Sequence, residues 1–346
     1  MIDEEKPTWE INSSRLFTSW LSTQNASLAF TTYQANKLFL VGANQENDLS
    51  IFERTFNRCM GLAVKGSQLW MSSLYQLWRF ENFLDPGDLS DGYDAMYVPV
   101  SGHTTGDIDI HDIHIKENNS ALFVNTRFNC LATLGPKFSF EPVWKPPFID
   151  RIAAEDRCHL NGMAMQNDIP RYVTCVSNSN LSEGWRDHRA SGGLVIDVES
   201  GEPVIGGLSM PHSPRLYSEK LWILQAGTGE FGYIDVNKGK FEPVCFLPGF
   251  ARGLTFIGEY AVIGLSKPRN NKTFNGLALN ERLKSENTSA KCAAYVVNLR
   301  TGDVEHMLEI EGMGEIYDVA VLPGIRRPKA LGFKTDEIRF TIRPEN

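Results

Sequence analysis

The stretch that decides the fold runs from Gly162 to Glu202 and reads as three strands and a turn: Gly162-Met163-Ala164-Met165, then Arg171-Tyr172-Val173-Thr174-Cys175-Val176, then Gly193-Leu194-Val195-Ile196-Asp197-Val198, closed by Glu199-Ser200-Gly201-Glu202. Small or polar residues alternate with apolar ones in the first run, which is the period of a strand buried on one face at least. The same opening pattern recurs along the chain. It stands at Ser27-Leu28-Ala29-Phe30, Gly61-Leu62-Ala63-Val64, Asp112-Ile113-His114-Ile115, Ser213-Pro214-Arg215-Leu216, Gly253-Leu254-Thr255-Phe256 and Asp318-Val319-Ala320-Val321. With Gly162 there are seven such anchors, and successive first positions lie 34, 51, 50, 51, 40 and 65 residues apart. Three consecutive intervals agree to within one residue.

Each anchor is followed by further short strands. After Gly61 come Gln68-Leu69-Trp70-Met71 and Gln76-Leu77-Trp78-Arg79-Phe80, and after Ser213 come Lys220-Leu221-Trp222-Ile223-Leu224 and Gly232-Tyr233-Ile234-Asp235-Val236. Repeats of four short strands over about 40 to 50 residues are the signature of a β-propeller. The expectation is therefore an all-β propeller of four-stranded blades occupying residues 1–346 as a single domain, with seven blades slightly favoured over six. A β-sandwich is the competing fold, since it also has short, regularly spaced strands. Residues 268–290 read as a polar loop inserted between strands, with helical periodicity confined to Asn275 to Glu286, and residues 1–20 and 322–346 are expected to help close the ring.

Composition bounds the function. The formal net charge is −8 and the pI about 5.5, which argues against a nucleic-acid or anionic-membrane surface, since both favour a basic face, and leaves room for a local basic pocket. The acidic start Met1-Ile2-Asp3-Glu4-Glu5 is unlike a secretory signal, no run approaches the roughly 20 apolar residues of a membrane span, and the six cysteines are scattered without a CxxC pair. A cytoplasmic location is the expectation.

The first strand of every propeller blade lines the central channel, and the residues just before it collect at one mouth. One position before the anchors stand Ala26, Met60, His111, Asn161, His212, Arg252 and Tyr317; three before stand Gln24, Arg58, Asp109, His159, Met210, Phe250 and Glu315. Three of the seven histidines thus fall on consecutive blades. His111, His159 and His212 are candidate catalytic residues, as acid or base or as ligands of a divalent transition metal, with Asp109, Glu315 and Tyr317 as carboxylate and phenol partners. Arg58, Arg215 and Arg252 offer planar cationic forks for an anionic ligand, and Asn161 a polar handle. The alternative for all of these is structural hydrogen bonding across the channel.

Other features carry less. Cys158 and Ser213 neighbour His159 and His212 in sequence, but adjacent strand residues face opposite ways, which argues against a nucleophile pair. Gly227-Thr228-Gly229-Glu230-Phe231-Gly232 joins two predicted strands and reads as a hairpin turn rather than a phosphate loop. Trp185 lies in the polar loop Ser177 to Ser191, which is placed to cover a channel mouth.

The segments His111-Asp112-Ile113-His114, His159-Leu160-Asn161-Gly162-Met163-Ala164, Met210-Pro211-His212-Ser213-Pro214-Arg215 and Ala251-Arg252-Gly253-Leu254-Thr255-Phe256 resemble, over most of the chain, a bacterial propeller-like protein family of unknown function. More distantly, the His- and Asn-bearing inner strands look like the gluconolactonase and paraoxonase superfamily, whose propellers hold a divalent cation in the channel and hydrolyse lactones or esters. That superfamily leans on Glu, Asn and Asp ligands, and this chain offers histidines. A His-rich mouth also looks like that of some propeller lyases acting on acidic sugars. Together these imply an enzyme acting on a small anionic or peptide-like substrate by hydrolysis, elimination or isomerisation; the reading from another class is a noncatalytic propeller that binds a protein or glycan partner.

Overall fold

The computed structural model describes residues 9–268 and 276–345. These residues form six sheets arranged as the blades of a propeller. The innermost strands are Asp318–Pro323, Leu62–Lys65, Ile110–Ile115, Leu160–Gln166, Pro211–Tyr217 and Phe250–Ile257, defining blades one to six in that order. Blade one is completed by Ala26–Thr32, Lys37–Ala43 and Leu49–Thr55, so its inner strand comes from the C-terminal part of the chain and its other three from the N-terminal part. That pairing closes the ring, from Ala26 opposite Pro323 to Thr31 opposite Asp318.

The blade count corrects the sequence expectation of seven. Six of the anchors sit on or immediately before innermost strands, but Ser27 lies on the second strand of blade one, opposite Leu322. The physical reason is burial. Ala26–Thr32 is buried along its whole length, between the inner strand and Lys37–Ala43, so it carries the same small-and-apolar alternation as a channel strand. Its two faces serve different blade interfaces: Leu28 and Phe30 join a core with Val262 and Val296 of blade six, while Ala29 packs with Leu62 and Met71 of blade two. Each remaining pair of neighbouring blades shares a core of this kind.

The blades are also clasped by polar groups near the axis. Second-strand or adjacent hydroxyls donate to a carbonyl of the next blade: Thr31 to Met60 (2.5 Å), Ser72 to Ile110 (3.1 Å), Thr126 to Leu160 (2.6 Å) and Ser266 to Ile316 (3.0 Å). Anchor side chains accept in the same direction. Asp318 Oδ2 takes the Leu62 N–H (2.9 Å), Asp112 Oδ2 the Met163 N–H (3.0 Å) and Ser213 Oγ the Gly253 N–H (3.1 Å). Across the channel, Arg215 reaches Asp112 with two parallel bonds of 2.7 and 3.0 Å, a strong charge-assisted geometry that bars the axis.

Two segments expected at the ring closure fasten outer edges: Glu10–Ser13 adds a fifth strand to blade six, and Pro328–Ala330 runs parallel to Ala95–Thr104 on blade two. In the insert, helix Ala278–Ser285 buries Leu279 and Leu283; the part of the expected 268–290 loop at 269–275 lies outside the described residues. Among the described residues, no helix is long and apolar enough to cross a membrane.

The Asp112 clasp yields a stability prediction. Asp112→Ala removes the bidentate partner of Arg215 and strands two backbone N–H groups, so urea unfolding should show a loss of roughly 3 kcal/mol, in the range for breaking a buried pair. A loss below about 1 kcal/mol would mean that Arg215 re-pairs with Asp318 at little cost.

Candidate functional site

Four of the six residues three positions before the true anchors adopt a left-handed backbone: Arg58 (φ 54°), Asp109 (58°), His159 (52°) and Met210 (46°). Non-glycine residues visit this region at a cost, and its recurrence at one repeat position shows a common turn into the channel strand. The turn aims the following side chains at the axis. His111, Asn161 and His212, which follow such turns, line one small chamber of about 10 Å³ together with Arg252 and Tyr317, close to the volume that admits a single water. His111 meets His159 edge-on at 5.0 Å between ring centres and Tyr317 at 5.6 Å, while the Arg252 guanidinium lies 5.2 Å from the Tyr317 ring and 4.9 Å from that of Phe250.

The hydrogen bonds fix the imidazoles in one tautomer. His111 Nδ1 faces the Asp109 carbonyl (2.9 Å) and the Thr126 hydroxyl oxygen (2.7 Å), and because that hydroxyl gives its own proton to Leu160, Nδ1 must carry the hydrogen. His212 Nδ1 donates to the Met210 carbonyl (2.9 Å), and His159 Nδ1 to both oxygens of Asp156 (3.1 and 3.0 Å). Each ring is left with Nε2 free of its proton when neutral. Burial pushes the His111 pKa down to about 4, His159 and Arg252 adding to that against the Asp109 charge, and burial followed by Arg252 takes His212 well below its ordinary value.

Four polar atoms around the chamber are buried without a hydrogen-bond partner: Asn161 Nδ2, His212 Nε2, Arg252 Nε and the Tyr317 hydroxyl. Arg252 also has no ion pair among the described residues. Burying such atoms unpaired costs about 1–3 kcal/mol each, more for a charged group. Buried polar groups in native proteins are generally satisfied, which makes these four atoms the candidate ligand contacts of the chamber.

The other candidates are placed elsewhere. Arg58 binds Asp107 (3.0 Å) and Asp109 (2.7 Å), Glu315 accepts from the Gln34 N–H (2.5 Å), and Arg215 stands deeper, held by Asp112. Among the described residues no three His, Cys, Asp or Glu side chains, the expected set His111, His159 and His212 included, gather so as to hold a metal ion.

Beside the chamber, the His159 ring is covered by a loop. In loop 177–192 a single 3₁₀ turn, Gly184–His188, sets the Trp185 ring on His159 at 4.2 Å, nearly parallel at 27°. Trp185 packs in turn with Met210, Phe250 and with Leu277, Leu279 and Leu283 of the insert, a core separate from those between blades. Sequence periodicity missed Asp156 and Trp185 because neither occupies a repeated strand position. Asp112 and Asp318 were visible as the two acidic residues among the anchors.

Beyond the Arg215–Asp112 bar the channel opens into a second chamber of about 410 Å³, walled by residues such as Val64, Ile115, Met165 and Val321. Volume favours this end as a ligand site. Its polar groups, however, are matched: His114 Nε2 meets Asp168 at 2.7 Å, and Lys65 meets Glu117 at 3.2 Å. The unpartnered atoms lie at the histidine end, and chemistry is the better guide there.

A model of the family described as "Domain of unknown function (DUF4915)" matches residues 15–331. The chain belongs to this family. No curated protein sequence matches it. Solved structures of similar fold include a chain of a nidogen/laminin complex (TM-score 0.55, 10% identity, 86% of this chain and 99% of that one) and a protein of unknown function from Bacteroides caccae (TM-score 0.51, 12% identity, 86% and 98%). A virginiamycin B lyase from Staphylococcus aureus aligns at TM-score 0.40 and 12% identity, over 74% of this chain and 96% of that one. At such identities the likeness concerns the fold of this DUF4915 member alone.

The depressed histidines give the protein an acid limit. The unfolded chain protonates position 111 near pH 6.5 and the folded chain near 4, so this contribution is complete above pH 6.5 and fades as pH falls between those values. The shift is worth on the order of 3 kcal/mol. Asp318 acts in the opposite sense, since burial and then Asp112 raise it from 3.8 to about 7 against the pull of Arg215; its stabilising contribution is present below 3.8 and lost as pH rises through 7. Denaturant unfolding of His111→Gln between pH 7 and 4 should show a flatter acid limb than the wild type, and an unchanged slope would refute the burial account.

Proposed function

We propose that this chain is an enzyme that moves a proton on a small anionic substrate at the capped histidine chamber, in an isomerisation, elimination or hydrolysis. The observation that carries the reading is the convergence of four unpartnered buried polar atoms on one closed space. Three of them, Arg252 Nε, Asn161 Nδ2 and the Tyr317 hydroxyl, are donors, the phenol being held neutral because burial lifts it well above its ordinary value. Donors of this kind around a guanidinium suit a carboxylate. Of the three arginines that the repeats suggested for an anion, only Arg252 has a fork not already taken up by aspartates.

Neutral imidazoles with Nε2 unprotonated supply bases, and general base action near neutral pH is their common use. Covalent catalysis is less well served: burial raises the Cys158 thiol far above its ordinary value, and the Ser213 hydroxyl oxygen is tied to the Gly253 N–H. The closed chamber is smaller than any such substrate, so catalysis requires the cap of Trp185 and the insert leucines to move aside and return, excluding water from the reacting groups.

Thermal stability of the purified chain in a panel of monocarboxylates, 2-hydroxy acids and uronic acids tests this. A ligand at 100 times its Kd should add about 2.7 kcal/mol of stability, and Arg252→Met should abolish the gain. Absence of stabilisation by every acid, or a gain that survives Arg252→Met, would sink the proposal and favour a propeller that binds a protein or glycan on its rim.

A further inference from the structure

We infer that Asp156 is the positioning residue of a His159 general base, and that Trp185 ties this dyad to closure of the cap. The inference rests on the proton-transfer reading above and assigns the base among three histidines. Only His159 has a carboxylate on Nδ1; His111 and His212 face carbonyls there. A carboxylate at that position holds the tautomer, leaves Nε2 as the basic nitrogen of a ring that abuts His111 of the chamber, and stabilises the imidazolium when Nε2 takes a proton. The proton comes from a C–H or O–H of the substrate, whose bonding electrons stay on the substrate, and it returns from Nε2 to the product or its leaving group. No further reactant is needed.

The carboxylate is shared with the cap. Trp185 Nε1 donates to Asp156 Oδ2 (2.8 Å) while the indole covers His159, so one side chain both shields the ring and competes for the oxygen that orients it. The cap's base is anchored beside the dyad: Trp185 N–H donates to the Arg157 carbonyl (3.1 Å), Glu183 N–H to the Glu155 carbonyl (2.9 Å), and Arg157 pairs with Glu155 at 2.7 Å. Asp156 and His159 both hold left-handed backbone, φ 40° and 52°, a strain that clusters where geometry is fixed for function. The Asp156 carboxyl remains ionised, because His159, then His111 and the indole N–H, outweigh the burial that would raise it. The titratable groups that act on the dyad are His111, whose ring meets that of His159 and which lies in the field of Asp156, and His212, which lies in the field of His159.

The test follows the His159 imidazole by nitrogen-detected NMR through a pH titration of the full chain, with no ligand present. Asp156→Asn should weaken proton binding at His159 by tenfold or more, while His111 moves by less than threefold. Trp185→Phe keeps the stacked ring but removes the indole N–H. It should tighten proton binding at His159 by about threefold and speed carbethoxylation of Nε2 by diethyl pyrocarbonate. An unchanged His159 titration in Asp156→Asn overturns the positioning role, and unchanged titration and reactivity in Trp185→Phe overturn the link to the cap. Should Asp156→Asn fail to fold, Trp185→Phe alone decides, since a carboxylate without influence on His159 cannot transmit the loss of the indole bond. These readouts need no substrate, so failure of acid binding to Arg252 would strike the substrate class and leave the dyad result standing.

Discussion

The antiparallel ladder between Ala26–Thr32 and Asp318–Pro323 is the constraint on which the rest of the molecule depends. It joins segments nearly 300 residues apart, and by closing the ring it removes the free sheet edges that an open stack of blades would expose. Closure at six blades also sets a narrow channel. Arg215 can therefore reach Asp112 directly, although 103 residues separate them, and the axis is barred at the height of the anchors. One chamber on each side follows from that bar. In a wider ring the same arginine would need water between it and its carboxylate.

Much of the site was legible because closure turns a sequence repeat into a spatial ring. Counting back one residue from the anchors finds His111, Asn161, His212, Arg252 and Tyr317, and the structure gathers those five around a single space. The same rule failed at Ser27, where a second strand buried on both faces imitates a channel strand. Asp156 and Trp185 were beyond it for a different reason. Both sit on connections between strands, where no period operates, and what brings them to His159 is a left-handed turn and a loop packed by its own core. Loops of this kind are positioned by a rigid scaffold and carry chemistry the scaffold pattern does not announce.

Burial acts on the two levels of the channel with opposite results. In the histidine ring it removes positive charge, taking His111 to about 4, whereas at the bar it removes negative charge, raising Asp318 to about 7. Both shifts move a group towards its neutral form, as a poorly solvated channel requires. Arginine cannot respond in this way, because its guanidinium stays protonated. Arg252 is thus left as a fixed charge beside His111 and His212, whose positive charge burial removes.

That residual charge bears on why the cap exists. A guanidinium with an unpartnered Nε, a phenol and an amide could all be satisfied by water if the mouth were open, and the cost of leaving them bare would vanish. Beside them, a loop of the fourth blade and the helical insert of the sixth pack Trp185, Leu279 and Leu283 into one apolar core with Met210 and Phe250, and Trp185 covers the His159 ring. On the reading proposed above, excluding solvent there would strengthen every electrostatic interaction with an anion that supplies the acceptors. On the proposed reading, the apolar core around Trp185 and the unpartnered polar atoms act together, the one closing over the anion that the other binds.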